Sequence, residues 1–407
     1  MPTNTPTPSL TACFGSDQRM DSAVVARPLH IAYGVLSLDV GGLERLVIGL
    51  IQAARRGGHR VTVVCVERPG RLAAEAVAAG AVVVSLGKPY GRHPAVVDRA
   101  AAVLSDLRPD VVHTHQIGAA WYLGQAARRL DPPVPVVHTE HGHLASERGG
   151  WWRTVKARLL VRSAARFVDR FCCVSGEIAA AVARWRTVPR AKVEVVPNGI
   201  PTDRPADLPP PEAVRRSLGI PAGAPVVGTV GRLAEVKRQD LLIQATARLR
   251  DRFPDVRLVL VGDGPERQRL EALAAELNLS NRVHFAGYQP RPEQFLQVMD
   301  AFCLSSRTEG FPVSLLEAWQ AGVPAVCSAV GGIPAVVTHG ENGLLVPFGD
   351  EGALADALAR FLGDRGLRDR LGREGQRAVR ERYSIERMAS GYEDRYRSLL
   401  ATRGGAV

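Results

Sequence analysis

Short runs of Val, Ile and Leu alternate along the chain with longer segments whose apolar residues recur every three or four positions. Runs of four to eight apolar residues read as strands buried on both faces, and the longer periodic segments read as helices. Residues 30–36 predict a strand, 43–56 a helix closed by Gly57 and Gly58, and 61–66 the next strand. That is a βαβ unit. Strand patterns continue at 82–86, 111–115, 134–139, 171–175 and 193–197, with alanine-rich helices between several of them. The pattern then breaks at 201–211, where Pro201, Pro205, Pro209, Pro210 and Pro211 exclude a central strand or a helix interior. It restarts at 226–230 and runs through 258–261, 283–285, 301–304, 325–328 and 344–346. A last helical stretch covers 385–400.

Strands alternating with helices predict parallel sheets with right-handed crossovers. The expected fold is α/β, with two Rossmann-like doubly wound domains facing across a cleft. Ligands of such sheets bind beyond the carboxyl ends of the strands. The division is residues 1–27 as a disordered tail, 28–204 and 205–384 as the two domains, and 385–407 as a C-terminal helix free to pack back on the first domain.

Composition changes little in that picture. Aromatic residues make up only 5% of the 407, so the core must be mostly Ala, Val and Leu. No apolar run reaches the roughly 20 residues of a membrane span. The polar first 27 residues lack the charged start and apolar run of a secretory signal. Of the six cysteines, five (Cys65, Cys172, Cys173, Cys303 and Cys327) lie in apolar runs, and there is no CxxC. They read as small buried hydrophobes in a reducing compartment. Charge changes the picture more. Residues 1–205 hold 26 Lys and Arg against 16 Asp and Glu, whereas the rest of the chain holds 26 against 25. The basic first half can attract nucleic acid, anionic lipid or a phosphorylated substrate.

The second half carries the candidate chemistry. After the strand at 226–230, Gly231 turns the chain and the cations Arg232 and Lys237 follow in a short loop. Fixed cations at the carboxyl edge of a sheet suit a diphosphate, although two solvated surface cations would read the same. After the strand at 301–304 comes Glu309-Gly310-Phe311-Pro312-Val313-Ser314-Leu315-Leu316-Glu317. Pro312 suits a helix's first turn, which places Glu309 just before the helix and Glu317 in its second turn. The free N–H groups of that turn can cradle a phosphate. Carboxylates beside such a cradle make sense if they accept hydrogen bonds from sugar hydroxyls.

Two glutamates separated by seven residues around a Gly-Phe-Pro turn resemble the hallmark of family 4 of the retaining glycosyltransferases (glycosyl transferases group 1). So do Gly231-Arg232-Leu233 with Lys237, residues 261–265 (VGDGP), residues 283–287 (VHFAG) and residues 331–334 (GGIP), all in family order. The ordered combination carries the resemblance, because any one of these motifs alone is weak. It implies a B-type glycosyltransferase fold with an acceptor-binding first domain and a nucleotide-sugar-binding second domain. It further implies that Glu317 holds ribose hydroxyls, Glu309 holds the donor sugar, and Arg232 and Lys237 stabilise the departing diphosphate. Backbone amides near Gly310, Phe311, Ser314 and Leu315 would position sugar and phosphate. No metal or other cofactor is expected. A UDP-sugar is the default donor, with a GDP-sugar as the alternative.

The first half is less marked. Gly41 and Gly42, between the first strand and its helix, let backbone approach a ligand, and the resemblance puts them near the donor or acceptor. They equally suit a plain tight turn. Histidines cluster at His113, His115, His138, His141 and His143; a zinc site would need partners that the cluster lacks. His141 aligns with the family's histidine beside the donor sugar, against a merely structural role at a strand end. Residues 148–170 hold seven cations and one acid, Asp169, with Trp151 and Trp152 near the start. Such a segment reads either as a helix lying on an anionic membrane or as a solvated face beside an acceptor cleft.

The expected function is retaining transfer of a sugar from a nucleoside-diphosphate sugar to an acceptor hydroxyl. The acceptor is unnamed and lipid-linked in one reading, in polysaccharide, glycolipid or glycoconjugate synthesis. Retention comes from the resemblance; with no evident covalent nucleophile, a front-face route with domain closure about 201–211 is expected. The expected location is cytoplasmic, with peripheral contact at the inner face of the membrane. A nucleotide-sugar epimerase shares the architecture but needs ring-chemistry acids and bases. A pyridoxal-phosphate phosphorylase lacks its lysine here, and no basic stripe interleaved with aromatics supports a nucleic-acid binder.

Overall fold

The computed structural model describes residues 27–142, 151–203 and 207–404. Two wholly parallel sheets organise it. The first contains β1 (His30–Ser37), β2 (Arg60–Arg68), β3 (Val82–Ser85), β4 (Val111–Thr114), β5 (Val136–Glu140), β6 (Arg170–Cys173) and β7 (Val193–Val195), in the order β3-β2-β1-β4-β5-β6-β7. The second contains β8 (Val226–Val230), β9 (Arg257–Val261), β10 (Val283–Gly287), β11 (Ala301–Leu304), β12 (Ala325–Ser328) and β13 (Leu344–Val346), in the order β10-β9-β8-β11-β12-β13. In both sheets the order reverses beside the first strand, between β1 and β4 and between β8 and β11. Connections there leave to opposite faces and open a crevice at the carboxyl edge.

The strands are apolar on both faces because helices cover both, as β8 shows with Val226, Val227 and Gly228 all buried. One buried cluster runs through both domains, from Leu104 and Val136 to Phe302 and Trp319. Residues 201–203 and 207–210 are irregular, and Pro211 opens the helix Pro211–Ser217 at its first position. The chain crosses between the sheets twice, and the two crossings lie side by side. Ile200 N–H donates to Tyr383 O at 2.9 Å, and Ile385 N–H donates to Ile200 O at 2.8 Å.

After the second crossing the helix Ile385–Gly404 packs on the first domain. Ile385, Met388, Tyr392, Tyr396 and Leu399 join the core of Leu46, Val47, Leu50 and Ile51 from the helix Gly42–Arg56. Five residues at three- and four-residue spacing make one continuous apolar stripe. Its two tyrosines bury their hydroxyls against polar partners: Tyr396 against His113 at 2.5 Å and Tyr392 against Thr139 at 3.1 Å. The five cysteines of the described residues are buried and free.

Candidate active site

The carboxyl edges of β1, β5 and β7 face those of β8, β9 and β11 across a cavity of about 620 Å³. Val40–Leu46 follow β1, His141 follows β5 and Asn198 follows β7; Arg232, Lys237, Asp263 and Glu309–Glu317 come from the opposite wall.

On that opposite wall the polar groups are held by one another. Lys237 Nζ meets Glu309 Oε1 at 2.7 Å, and Ser306 Oγ donates to the same oxygen at 2.6 Å. Glu309 is only 8% exposed, so its charge depends on these two donors. Ser305 Oγ donates to Lys237 O and Arg238 O at 3.1 and 2.8 Å, which fastens the cationic loop to the end of β11. Arg232 stands differently. Its carbonyl accepts from Gln239 Nε2 at 3.0 Å, while its guanidinium is exposed and pairs with no described residue.

Glu317 is the fifth residue of the helix Val313–Gln320 and is half-buried. No hydrogen-bond donor reaches its carboxylate among the described residues. Burial raises its carboxyl pKa to about 7, with Glu293 adding to the rise and Arg45 opposing it. A desolvated, undonated carboxylate is a site prepared for donors from a ligand.

Pro312 is the residue before this helix, not part of its first turn as expected, because its ψ of 87° lies outside the helical range. Two other expected residues do not line the cavity. Leu315 is fully buried, and its amide donates to Pro312 O at 3.1 Å, closing the turn. Gly310 sits where the domains touch: a Cβ there would lie 2.6 Å from His141 O. Only glycine permits this approach. Phe311 and Ser314 do line the cavity. Phe311 also packs edge-on to Tyr383, at 5.6 Å between ring centroids.

Apart from Arg45, the first-domain wall is lined by uncharged groups. Gly41 is extended with the Glu44 carboxylate packed where a side chain would stand, and Gly42 has open space there. His141 is half-buried, and burial followed by His138 pushes its pKa down to about 3. Its Nε2 meets Nδ1 of the buried His115 at 3.1 Å. Burial holds His113 and His115 well below the ordinary histidine range too. His113 is committed to Tyr396 and to Thr139 Oγ1 at 2.8 Å, and His138 to Thr114 at 3.0 Å. Among the described residues no three His, Cys, Asp or Glu gather to hold a metal ion, and His143 lies outside them.

Sequence reasoning missed Ser306, Asn198, Arg45 and Tyr288. Arg45 Nη2 donates to Tyr288 OH at 3.1 Å, joining the walls across the mouth. Asn198 is buried, lines the cavity and has no partner for its Oδ1 among the described residues. The Pro197-Asn198 pair just beyond β7 was the available signal for Asn198.

Comparison with known proteins places this geometry. Residues 211–378 match the family described as glycosyl transferases group 1, and residues 40–204 match glycosyltransferase family 4. The lipopolysaccharide core biosynthesis glycosyltransferase LpsD of Rhizobium meliloti (strain 1021) is 30% identical over 384 residues, 92% of this chain and 99% of that protein. The chain belongs to family 4 of the glycosyltransferases. Another family 4 relative, the D-inositol 3-phosphate glycosyltransferase of Nocardia farcinica (strain IFM 10152), is 34% identical over 318 residues, 73% of this chain and 68% of its own. Among solved structures, Anabaena Alr3699/HepE in complex with UDP and glucose superposes with a TM-score of 0.78 at 23% identity, covering 91% of this chain and all of that one. Sucrose-phosphate synthase from Thermosynechococcus elongatus gives 0.76 at 25% identity, covering 92% and 100%. The fold is the B-type glycosyltransferase fold of this family. The epimerase alternative gains no support from these relatives.

Proposed function

We propose that this family 4 glycosyltransferase transfers a sugar, with retention, from a nucleoside-diphosphate sugar to an acceptor hydroxyl. The observation that carries the reading is the meeting of Arg232, Lys237 and the undonated carboxylate of Glu317 in one cavity opposite the backbone of Gly41 and Gly42. In this account Glu317 accepts from the ribose hydroxyls, and Glu309, held by Lys237 and Ser306, accepts from the sugar. Arg232 and Lys237 neutralise the diphosphate as the anomeric C–O bond breaks. The acceptor oxygen then bonds to the same face of that carbon and gives its proton to a phosphate oxygen of the leaving group. Phe311 and Ser314, beside the helix start, position that group, and His141 contacts the sugar from the other wall. Fixed cations do the work of a metal ion, so turnover should persist in chelator.

We favour UDP over GDP; the Anabaena neighbour is a UDP complex. A thermal-shift screen against nucleoside diphosphates and their sugars tests this. One base should raise the midpoint by mass action, and Glu317→Ala should abolish the rise. No rise with any nucleotide would sink the reading.

The acceptor is proposed to be a lipid-linked saccharide, in keeping with the lipopolysaccharide-core relative. Trp151 and Trp152 stack at 4.0 Å while each remains 64% exposed, and Leu159 on the same helix, Trp151–Ala165, is 61% exposed. Arg162, Arg166, Arg184, Arg186 and Arg190 surround a shallow cavity beside its far end. Exposed Trp with clustered Arg favours an anionic membrane surface. Among the described residues no helix is long and apolar enough to cross a membrane, so contact would be peripheral. Failure to sediment with anionic vesicles at low salt would dismiss it.

A further inference from the structure

We infer that His115 is a positioning residue that fixes the tautomer of His141, so that His141 presents an N–H donor to the cavity. The inference rests on the proposed donor-sugar contact of His141 and adds which hydrogen that contact uses.

Both imidazoles are neutral, because burial disfavours their charged forms. Each therefore carries one N–H. The 3.1 Å contact between His115 Nδ1 and His141 Nε2 needs one hydrogen between them, and two arrangements supply it. In the first, His115 Nδ1–H donates; His115 Nε2 is then a bare acceptor, and His141 carries its hydrogen on Nδ1. In the second, His141 Nε2–H donates, and His115 must carry its hydrogen on Nε2.

The surroundings of His115 separate the two. Its Nε2 is buried and has no partner among the described residues. The neighbouring rings of Tyr33 and His113, with centroids at 5.6 and 4.2 Å, are tilted against it. An orphaned buried N–H is rarer and costlier than a bare lone pair. The first arrangement wins. His141 is left with Nδ1–H as its free group, and a neutral donor suits a sugar hydroxyl oxygen. His115 sits on the chain just after β4 and His141 just after β5, so adjacent strands set the spacing.

Long-range ¹H–¹⁵N NMR of histidine-labelled enzyme reads the tautomer directly, with His141→Gln to assign the signals. His141 should show a protonated Nδ1 and a bare Nε2. His115→Asn keeps an amide N–H where Nδ1 was, and should preserve both the tautomer and turnover. His115→Asp offers only an acceptor and should move the hydrogen to His141 Nε2. His115→Asp and His115→Leu should lower kcat about tenfold, one lost donor, while the Kd for UDP stays within about twofold of wild type. A wild-type His141 protonated on Nε2, or His115→Asp as active as His115→Asn, overturns the inference. Loss of UDP binding by the wild type would instead overturn the nucleotide-sugar reading and leave the NMR result to judge this one.

Discussion

The two walls of the cleft are built on opposite electrostatic plans. The second-domain wall is charged and partly paid in advance: Glu309 is satisfied by Lys237 and Ser306, whereas Arg232 and Glu317 wait for partners. The first-domain wall carries one charge, Arg45, and is otherwise apolar side chains, glycine backbone, Asn198 and a histidine that burial keeps uncharged. The contrast teaches a division of labour. Charge concentrated on one wall suits a diphosphate leaving group, and the mostly neutral groups of the other suit hydroxyls. Further cations beside Arg45 on the first wall would hold the diphosphate as tightly after reaction as before, which gives no advantage to the transition state.

The largest expected effect breaks the charged wall. Lys237→Ala and Arg232→Ala should each lower kcat on the order of 10²–10³, the usual cost of removing one preorganised stabiliser. Steady-state turnover measures it, and near-normal rates in both would end the leaving-group assignment. Lys237→Ala should also strand Glu309 with one donor, so it should lose more stability than Arg232→Ala in denaturant.

Glu317 sharpens the comparison through pH. Its carboxyl is held at about 7 in the free enzyme, and ribose hydroxyls donate to the ionised form. Nucleotide affinity should therefore fall as pH drops through 7, and Glu317→Gln should remove that dependence. For folding the sign is the reverse of a paired carboxylate. The raised pKa favours the folded protein fully below about 4.5, and that advantage is lost as pH rises to about 7. Calorimetric titrations and melts across this window check both; a flat wild-type affinity contradicts the assignment.

The seam between the walls comes next. Gly310→Ala would push a methyl against His141 O and Gly142, at 2.6 and 3.3 Å. We expect about 1–3 kcal/mol of destabilisation and a lower kcat from a displaced His141. The smallest effect lies behind the first-domain wall. Tyr396→Phe removes the hydroxyl at His113 and should cost about 1–2 kcal/mol in chemical denaturation, with turnover little changed.

The sheets were legible because every buried strand is a short apolar run. Residues 226–230, 301–304, 325–328 and 344–346 coincide with β8, β11, β12 and β13. Edges drifted by a residue or two elsewhere; the start of β5 at Val136 follows from Pro133 and Pro135, which lack the N–H a ladder needs. The motif residues of the second domain were legible for the same local reason: Glu309 to Glu317 is one turn and one helix. What joins them was not. Tyr396 lies 283 residues from His113, and Tyr288 lies 243 from Arg45. Nothing in local sequence pattern encodes a partner that far away. Leu315 shows the converse error, where adjacency in a motif was taken for access to the cleft. The helix over 385–400 and its packing back on the first domain were legible, but the residues it meets there, such as Leu46, Leu50 and Ile51, were not.

The most direct test of the two-wall account is calorimetric titration of UDP into three proteins: wild type, the Arg232→Ala/Lys237→Ala double variant and the Arg184→Gln/Arg186→Gln/Arg190→Gln triple variant. The account predicts binding to wild type and to the triple variant alike, and loss of at least about tenfold in the double variant. Equal binding by the double variant, or loss in the triple variant, would contradict it.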